Sequence, residues 1–129
     1  MQETSFDVIR HGQTDYNLEH RMQGQSDTRL NGEGRNQARQ WSERLQGREY
    51  SLMLRSDLKR TAETAAIINR VLSLQERVEQ NLREQDWGEW AGRTVLELDT
   101  CCRAELEQQE SLGWGFTPPG GESRAQVRD

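Results

Sequence analysis

Phe6-Asp7-Val8-Ile9-Arg10 runs directly into His11-Gly12, so a short stretch rich in β-formers ends at a basic loop that a glycine keeps open. Outward from that point the chain alternates. Gln13 to Asn17 is polar loop, and Asn31 is an N-cap for a helix that places Ala38, Trp41 and Leu45 on one face before Gly47 ends it. Tyr50 to Leu54 predicts a second strand. Ser56 then reads as the N-cap of a helix with Leu58, Ala62, Ala65, Ile68 and Leu72 at helical spacing. Val78 to Leu82 follows as a third strand, although Glu79, Gln80 and Asn81 are poor β-formers. Thr94 and Glu97 form a capping box before a helix with Val95, Leu98, Cys102 and Leu106 on its apolar positions, and Gly113 to Gly121 is loop. This order, without internal repeat, predicts an α/β layered domain with a largely parallel sheet, whose ligands sit at the carboxyl ends of strands. Arg10-His11-Gly12 and Ser56-Asp57 both occupy such a position.

The 129 residues suit a single domain, 1–129, with a thin core. Hydrophobic residues make up 32%, and even with the 11 glycines the apolar share falls short of the roughly 45–50% usual in globular domains. Part of what would cover the core is expected to be missing. A net charge of -5, from 17 basic and 22 acidic residues, argues against nucleic acid as a partner, because no basic excess exists to release counterions. A small anion held by a few local arginines remains in reach. No apolar run approaches the ~18 residues that cross a bilayer, and Met1-Gln2-Glu3-Thr4 lacks the basic and apolar regions of a signal peptide. A cytoplasmic location with no membrane partner is therefore expected. Cys101 and Cys102, neighbours in sequence and poorly placed to bridge each other, are expected to be reduced structural thiols.

Three places in the sequence suggest chemistry. Imidazole is largely neutral at physiological pH, so His11 can attack phosphorus without a separate base, and the guanidinium of Arg10 can fork two phosphate oxygens. Taken alone, Arg-His-Gly is more often an exposed basic loop. Lys59 and Arg60 lie in the first turn of their helix, where the macrodipole disfavours cations by roughly 0.3–1 kcal/mol each unless an anion binds there. Lys59 is expected to bend into solvent and Arg60 to face the anion. Glu84 stands near Trp87 and Trp90, an aromatic wall of the kind that raises a carboxyl group toward general-acid range.

Four blocks then connect these residues. Arg10-His11-Gly12-Gln13-Thr14-Asp15-Tyr16-Asn17, Gln23-Gly24, Ser56-Asp57-Leu58-Lys59-Arg60-Thr61-Ala62-Glu63-Thr64-Ala65 and Leu82-Arg83-Glu84-Gln85-Asp86-Trp87-Gly88-Glu89-Trp90-Ala91-Gly92 resemble the histidine phosphatase superfamily, also called phosphoglycerate-mutase-like. Pro118-Pro119-Gly120-Gly121-Glu122-Ser123 is similar to the family's next landmark. The blocks follow family order across nearly the whole chain. The resemblance implies a three-layer sandwich with a largely parallel central sheet flanked by helices. It implies His11 as phosphohistidine nucleophile, Glu84 as proton donor, Arg10, Arg60 and Asn17 as phosphate-binding residues, and Gln23 and Gly24 as substrate contacts. Neither metal nor cofactor is expected, and the partner is a small phosphorylated metabolite. The block around Glu84 resembles the phosphatase branch more than the cofactor-dependent mutases. The alternatives are a phosphoglycerate mutase or a truncated, non-catalytic phosphate-ester-binding fragment.

Two departures from the family pattern matter. Arg55 stands where the family often has a small hydroxyl residue, and is expected to point away from the pocket. The family's second catalytic histidine, on a late strand after Gly-Gly-Glu-Ser, has no counterpart, since His11 and His20 are the only histidines and the chain stops at Asp129. The C-terminal part of the family fold is thus expected to be absent, leaving a sheet edge through which the chain would self-associate. His20 matches no catalytic position and is expected at the surface.

Overall fold

The structure, a computed structural model, describes residues 2–129. Thr14 caps a single helical turn, α1 (Asp15–Leu18), through a capping box with Asn17. The longer helix α2 (Gly32–Leu45) is capped by Asn31, whose side chain accepts from the amide of Gly34, and it buries Gly34, Ala38, Ser42 and Leu45. Strand β1 (Met53–Arg55) leads into helix α3 (Lys59–Leu72), and β2 (Glu76–Val78) returns parallel to β1 with Leu54 opposite Arg77. This β1-α3-β2 unit packs through α3 along α2, the most extensive contact between elements. Two single-turn 3₁₀ segments, Gln80–Leu82 and Gly88–Trp90, carry the chain to helix α4 (Val95–Glu110). The Thr94–Glu97 capping box opens that helix as expected. A 3₁₀ turn, Gly113–Gly115, and a terminal helix, α5 (Arg124–Arg128), complete the mixed α/β chain.

Several local expectations change. Residues 6–10 form no strand, because among the described residues β1 pairs with β2 alone and no neighbour supplies a ladder for them. An apolar groove of about 430 Å³, lined by Phe6, Val8, Ile9, Leu52, Leu54 and Ile68 among others, lies between that segment and β1. Phe6 and Val8 are accordingly 72% and 93% exposed. The third strand lies earlier than expected, at Glu76–Val78, and the poor β-formers after it make the 3₁₀ turn instead. Ser56 is not the cap of α3: its hydroxyl meets that of Thr61, Leu58 is the capping position, and the Asp27 carboxylate takes the amide of Lys59. Cys101 and Cys102 are joined as a disulfide, which corrects the expectation of free thiols. The backbone leaves helical geometry at Cys102, where φ is -143° and α4 kinks. Among the described residues no helix is long and apolar enough to cross a membrane.

The apolar core proper lies beneath the segment after Glu84. Trp90, Leu98 and Phe116 are buried together, with Trp87 and Leu106 packed against them. Phe116 meets Trp87 and Trp90 edge-on, at centroid separations of 5.7 and 6.1 Å, a favoured aromatic geometry. Arg124 covers its other face at 4.2 Å. Because one ring joins α4, α5 and the Trp87 segment, Phe116→Ala is expected to lower stability by about 3–5 kcal/mol. Denaturant melts of the two proteins measure it, and a loss under about 1 kcal/mol would show that the cluster is not the centre of the fold.

Candidate active site

His11 stands at the end of the extended N-terminal segment with its ring half-buried. Nδ1 lies 2.7 Å from the carbonyl oxygen of Gly12. A carbonyl only accepts, so in the neutral ring Nδ1 carries the proton and Nε2 keeps its lone pair. Burial holds the His11 pKa below its ordinary 6.5, opposed by the Gly12 hydrogen bond; the charges of Arg60 and then Arg10 lower it further, and Glu84 works against them. The ring is therefore an uncharged base among two cations and one carboxylate.

Arg60 is the most constrained of these groups, with 1% of its surface exposed. It donates from Nη1 to the Ser26 carbonyl at 2.9 Å, and from Nη2 to the Gly24 carbonyl at 2.5 Å and to Glu84 Oε2 at 3.1 Å. Its Nε–H is buried with no partner among the described residues. Buried guanidinium donors are ordinarily satisfied, so this one leaves room for an acceptor oxygen. Lys59, by contrast, is exposed and pairs with Asp27 at 3.5 Å. Glu84 is oriented by Arg60, while Trp87 and Trp90 spend their faces on Phe116. The expected aromatic wall is thus part of the core.

The segment carrying Glu84 is fastened on two sides. Arg83 grips Asp57 with two hydrogen bonds of 2.6 and 2.5 Å, which hold the Asp57 carboxyl at a pKa of about 2. From the other side, Glu122 accepts from the amide of Asp86 at 3.0 Å and from Gln25 at 3.3 Å. The Gly-Gly-Glu-Ser landmark is therefore a buttress for the Glu84 segment.

A cleft of about 400 Å³ opens beside His11, lined by Arg10, Gln13, Asn17, Gln37 and Trp41 among others. Asn17 uses its side-chain oxygen to accept from the amide of Thr14. Gln23 is 4% exposed, and its side-chain oxygen meets the hydroxyls of Thr14 and Thr28. Gly24 contributes a left-handed turn, with φ at 53°, and the carbonyl that holds Arg60. Arg55 pairs with Glu76 and caps the Ser56 carbonyl, lining the apolar groove and not the cleft. His20 is exposed. Sequence reasoning passed over Thr64 and Gln37, which take the amides of Gly12 at 3.0 Å and Gln13 at 2.9 Å. The available signal was Thr64's place, four residues after Arg60, in a recognised block.

Comparison with known proteins places this geometry among relatives. A sequence model described as the histidine phosphatase superfamily, branch 1, matches residues 7–129. A glucosyl-3-phosphoglycerate phosphatase of Mycobacterium tuberculosis is 43% identical over 121 residues, covering 93% of this chain and 53% of the relative. A probable phosphoglycerate mutase of Salmonella choleraesuis is 35% identical over 125 residues, covering 95% and 57%. The chain spans about half the length of these curated relatives. Among solved structures, a mycobacterial glucosyl-3-phosphoglycerate phosphatase complexed with VO3 superposes with a TM-score of 0.80 at 42% identity, covering 91% of this chain and 58% of that one. A Thermus thermophilus protein superposes at 0.71 with 32% identity, covering 93% and 64%.

Since burial and two arginines hold the imidazole neutral, proton NMR of His11 against pH is expected to give a midpoint below 6.5. A midpoint at or above that value would mean that the ring is more exposed, or more closely paired with Glu84, than described.

Proposed function

Because the chain belongs to the histidine phosphatase superfamily, branch 1, we propose that it carries the nucleophile and the acid of a phosphate monoester hydrolase that works through a phosphohistidine. The observation that carries this reading is the bare Nε2 of His11, held in the field of Arg60 and Arg10 with the proton committed to Gly12. Nε2 attacks phosphorus, the P–O bond to the alcohol breaks, and Glu84 protonates the departing oxygen. Water then attacks the phosphohistidine, giving a proton back to the Glu84 carboxylate as the P–N bond breaks, which releases inorganic phosphate and restores the imidazole. Arg10, Arg60 and Asn17 are proposed to hold the phosphoryl oxygens, with the unpartnered Nε–H of Arg60 as one donor. Gln23 and Gly24 support the site from behind, as the loop that seats Arg60. Cations placed before the reaction also accelerate phosphoryl transfer, because they stabilise the charge spread over the transferring oxygens.

The substrate class is a small phosphorylated metabolite, and glucosyl-3-phosphoglycerate heads the panel because a 43% identical relative bears that name. Retransfer of the phosphoryl group to a product, as in a mutase, is the second reading. Its named relatives are less similar, at 35%.

Incubation with radiolabelled phosphate monoesters is expected to yield an acid-labile, alkali-stable phosphoprotein that His11→Ala abolishes. Arg60→Ala should slow its formation by about 10²–10³. Undiminished labelling of the His11→Ala protein would refute the mechanism, and label recovered in a second organic ester, with none as free phosphate, would favour the mutase.

A further inference from the structure

Gly12 is the residue on which the tautomer of His11 depends, and glycine does not by itself hold an orientation. The close approach of α2 requires it: a Cβ at Gly12 would sit 2.3 Å from the carbonyl oxygen of Gly34. Without a side chain, its two flanking peptide groups need outside support. Both receive it. The amide of Gly12, in the His11–Gly12 peptide, donates to Thr64 Oγ1 at 3.0 Å, and that hydroxyl donates onward to the Arg60 carbonyl at 2.7 Å. The amide of Gln13 donates to Gln37 Oε1 at 2.9 Å. Peptides are planar and trans, so the Gln13 N–H and the Gly12 carbonyl lie on opposite edges of one rigid unit. Gln37 therefore sets the direction of the oxygen that takes the Nδ1 proton.

We propose that Gln37 of α2 and Thr64 of α3 are positioning residues for His11: each helix pins one peptide group of Gly12, which keeps the ring proton on Nδ1 and Nε2 free for phosphorus. Thr64 is buried, at 6% exposed, and its single hydroxyl proton is committed to the Arg60 carbonyl, so it has none to offer a phosphate. It also ties the nucleophile's loop to the backbone of Arg60, so the attacking nitrogen and the guanidinium move as one body. Packing of α2 against α3 then becomes a determinant of chemistry as well as stability. The inference rests on His11 being the nucleophile, but the tautomer can be read with no substrate present.

The test is nitrogen NMR of labelled histidine in this chain, in a His20→Asn background that leaves one ring; His20 sits at a φ of 57°, which asparagine tolerates. The unmodified ring should show the Nδ1–H form. Gln37→Met and Thr64→Val, which remove the acceptors, should move it toward the Nε2–H form, while Gln37→Glu and Thr64→Ser, which keep them, should restore it. Phosphohistidine formation should fall by about 10–100-fold in the first pair, as it does when groups that orient a ligating histidine are removed. Folded Met and Val variants that keep the Nδ1–H form would overturn the proposal. Should those variants not fold, hydrogen exchange in the unmodified chain decides it: protection of the Gly12 and Gln13 amides comparable to that inside α2 and α3 supports the two clamps, and loop-like exchange overturns them. Absence of any phosphohistidine, with the tautomer shifts as described, would refute the catalytic reading and leave the positioning intact.

Discussion

A guanidinium buried to 1% exposure is costly to desolvate, by several kcal/mol unless its donors are met. Arg60 sets that demand, and much of the surrounding chain is arranged to meet it. Two of its acceptors are backbone carbonyls, from Gly24 and Ser26, so the loop after α1 must fold back over α3. That loop turns through a left-handed glycine so closely packed that a Cβ at Gly24 would lie 2.8 Å from the Gln85 carbonyl oxygen. The third acceptor is Glu84. Three stretches distant in sequence are thereby joined at one charged group, and Glu84, proposed as acid, comes within the electrostatic reach of His11, proposed as nucleophile, as a consequence.

The result is a site whose charges precede any ligand. His11 is kept neutral by burial and by neighbouring cations, and its proton is placed by the backbone, while Arg60 is held by two backbone carbonyls and by Glu84. Glu84 is the most exposed of the three, with 43% of its side chain open to solvent, which suits its proposed role as a proton donor reloaded from solvent.

How much of this was legible beforehand depended on whether the signal was local. Asn31 and the Thr94–Glu97 box act on amides within a few residues, and both cap their helices as read from sequence. Arg60 was recognisable because a cation in the first turn of a helix opposes the macrodipole and so calls for a reason. Ser56 misled because a hydroxyl near a helix start has several partners, and Thr61 took it. Residues 6–10 have the composition of a strand, but a strand exists only with a neighbour to share its hydrogen bonds. Trp87 and Trp90 were assigned to Glu84 by proximity in sequence, whereas their partner, Phe116, lies far along the chain. Gln37 and Thr64 left no local trace, because what they hold is backbone across a fold that has to be formed first.

The aromatic cluster around Phe116 has an optical consequence. Trp87 lies three residues after Glu84, on the stretch that Asp57 and Glu122 fasten, and its ring is partly buried against Phe116. Indole emission responds to the polarity and mobility of its surroundings, so a displacement of the Glu84 loop would alter the intrinsic fluorescence of the protein. Trp90, deep in the same cluster, would change far less until the core itself opens. Of the four tryptophans in the chain, Trp87 thus reports on the Glu84 segment and Trp90 on the core beneath it, so that with Trp41 and Trp114 replaced, local opening and global melting could be told apart by colour.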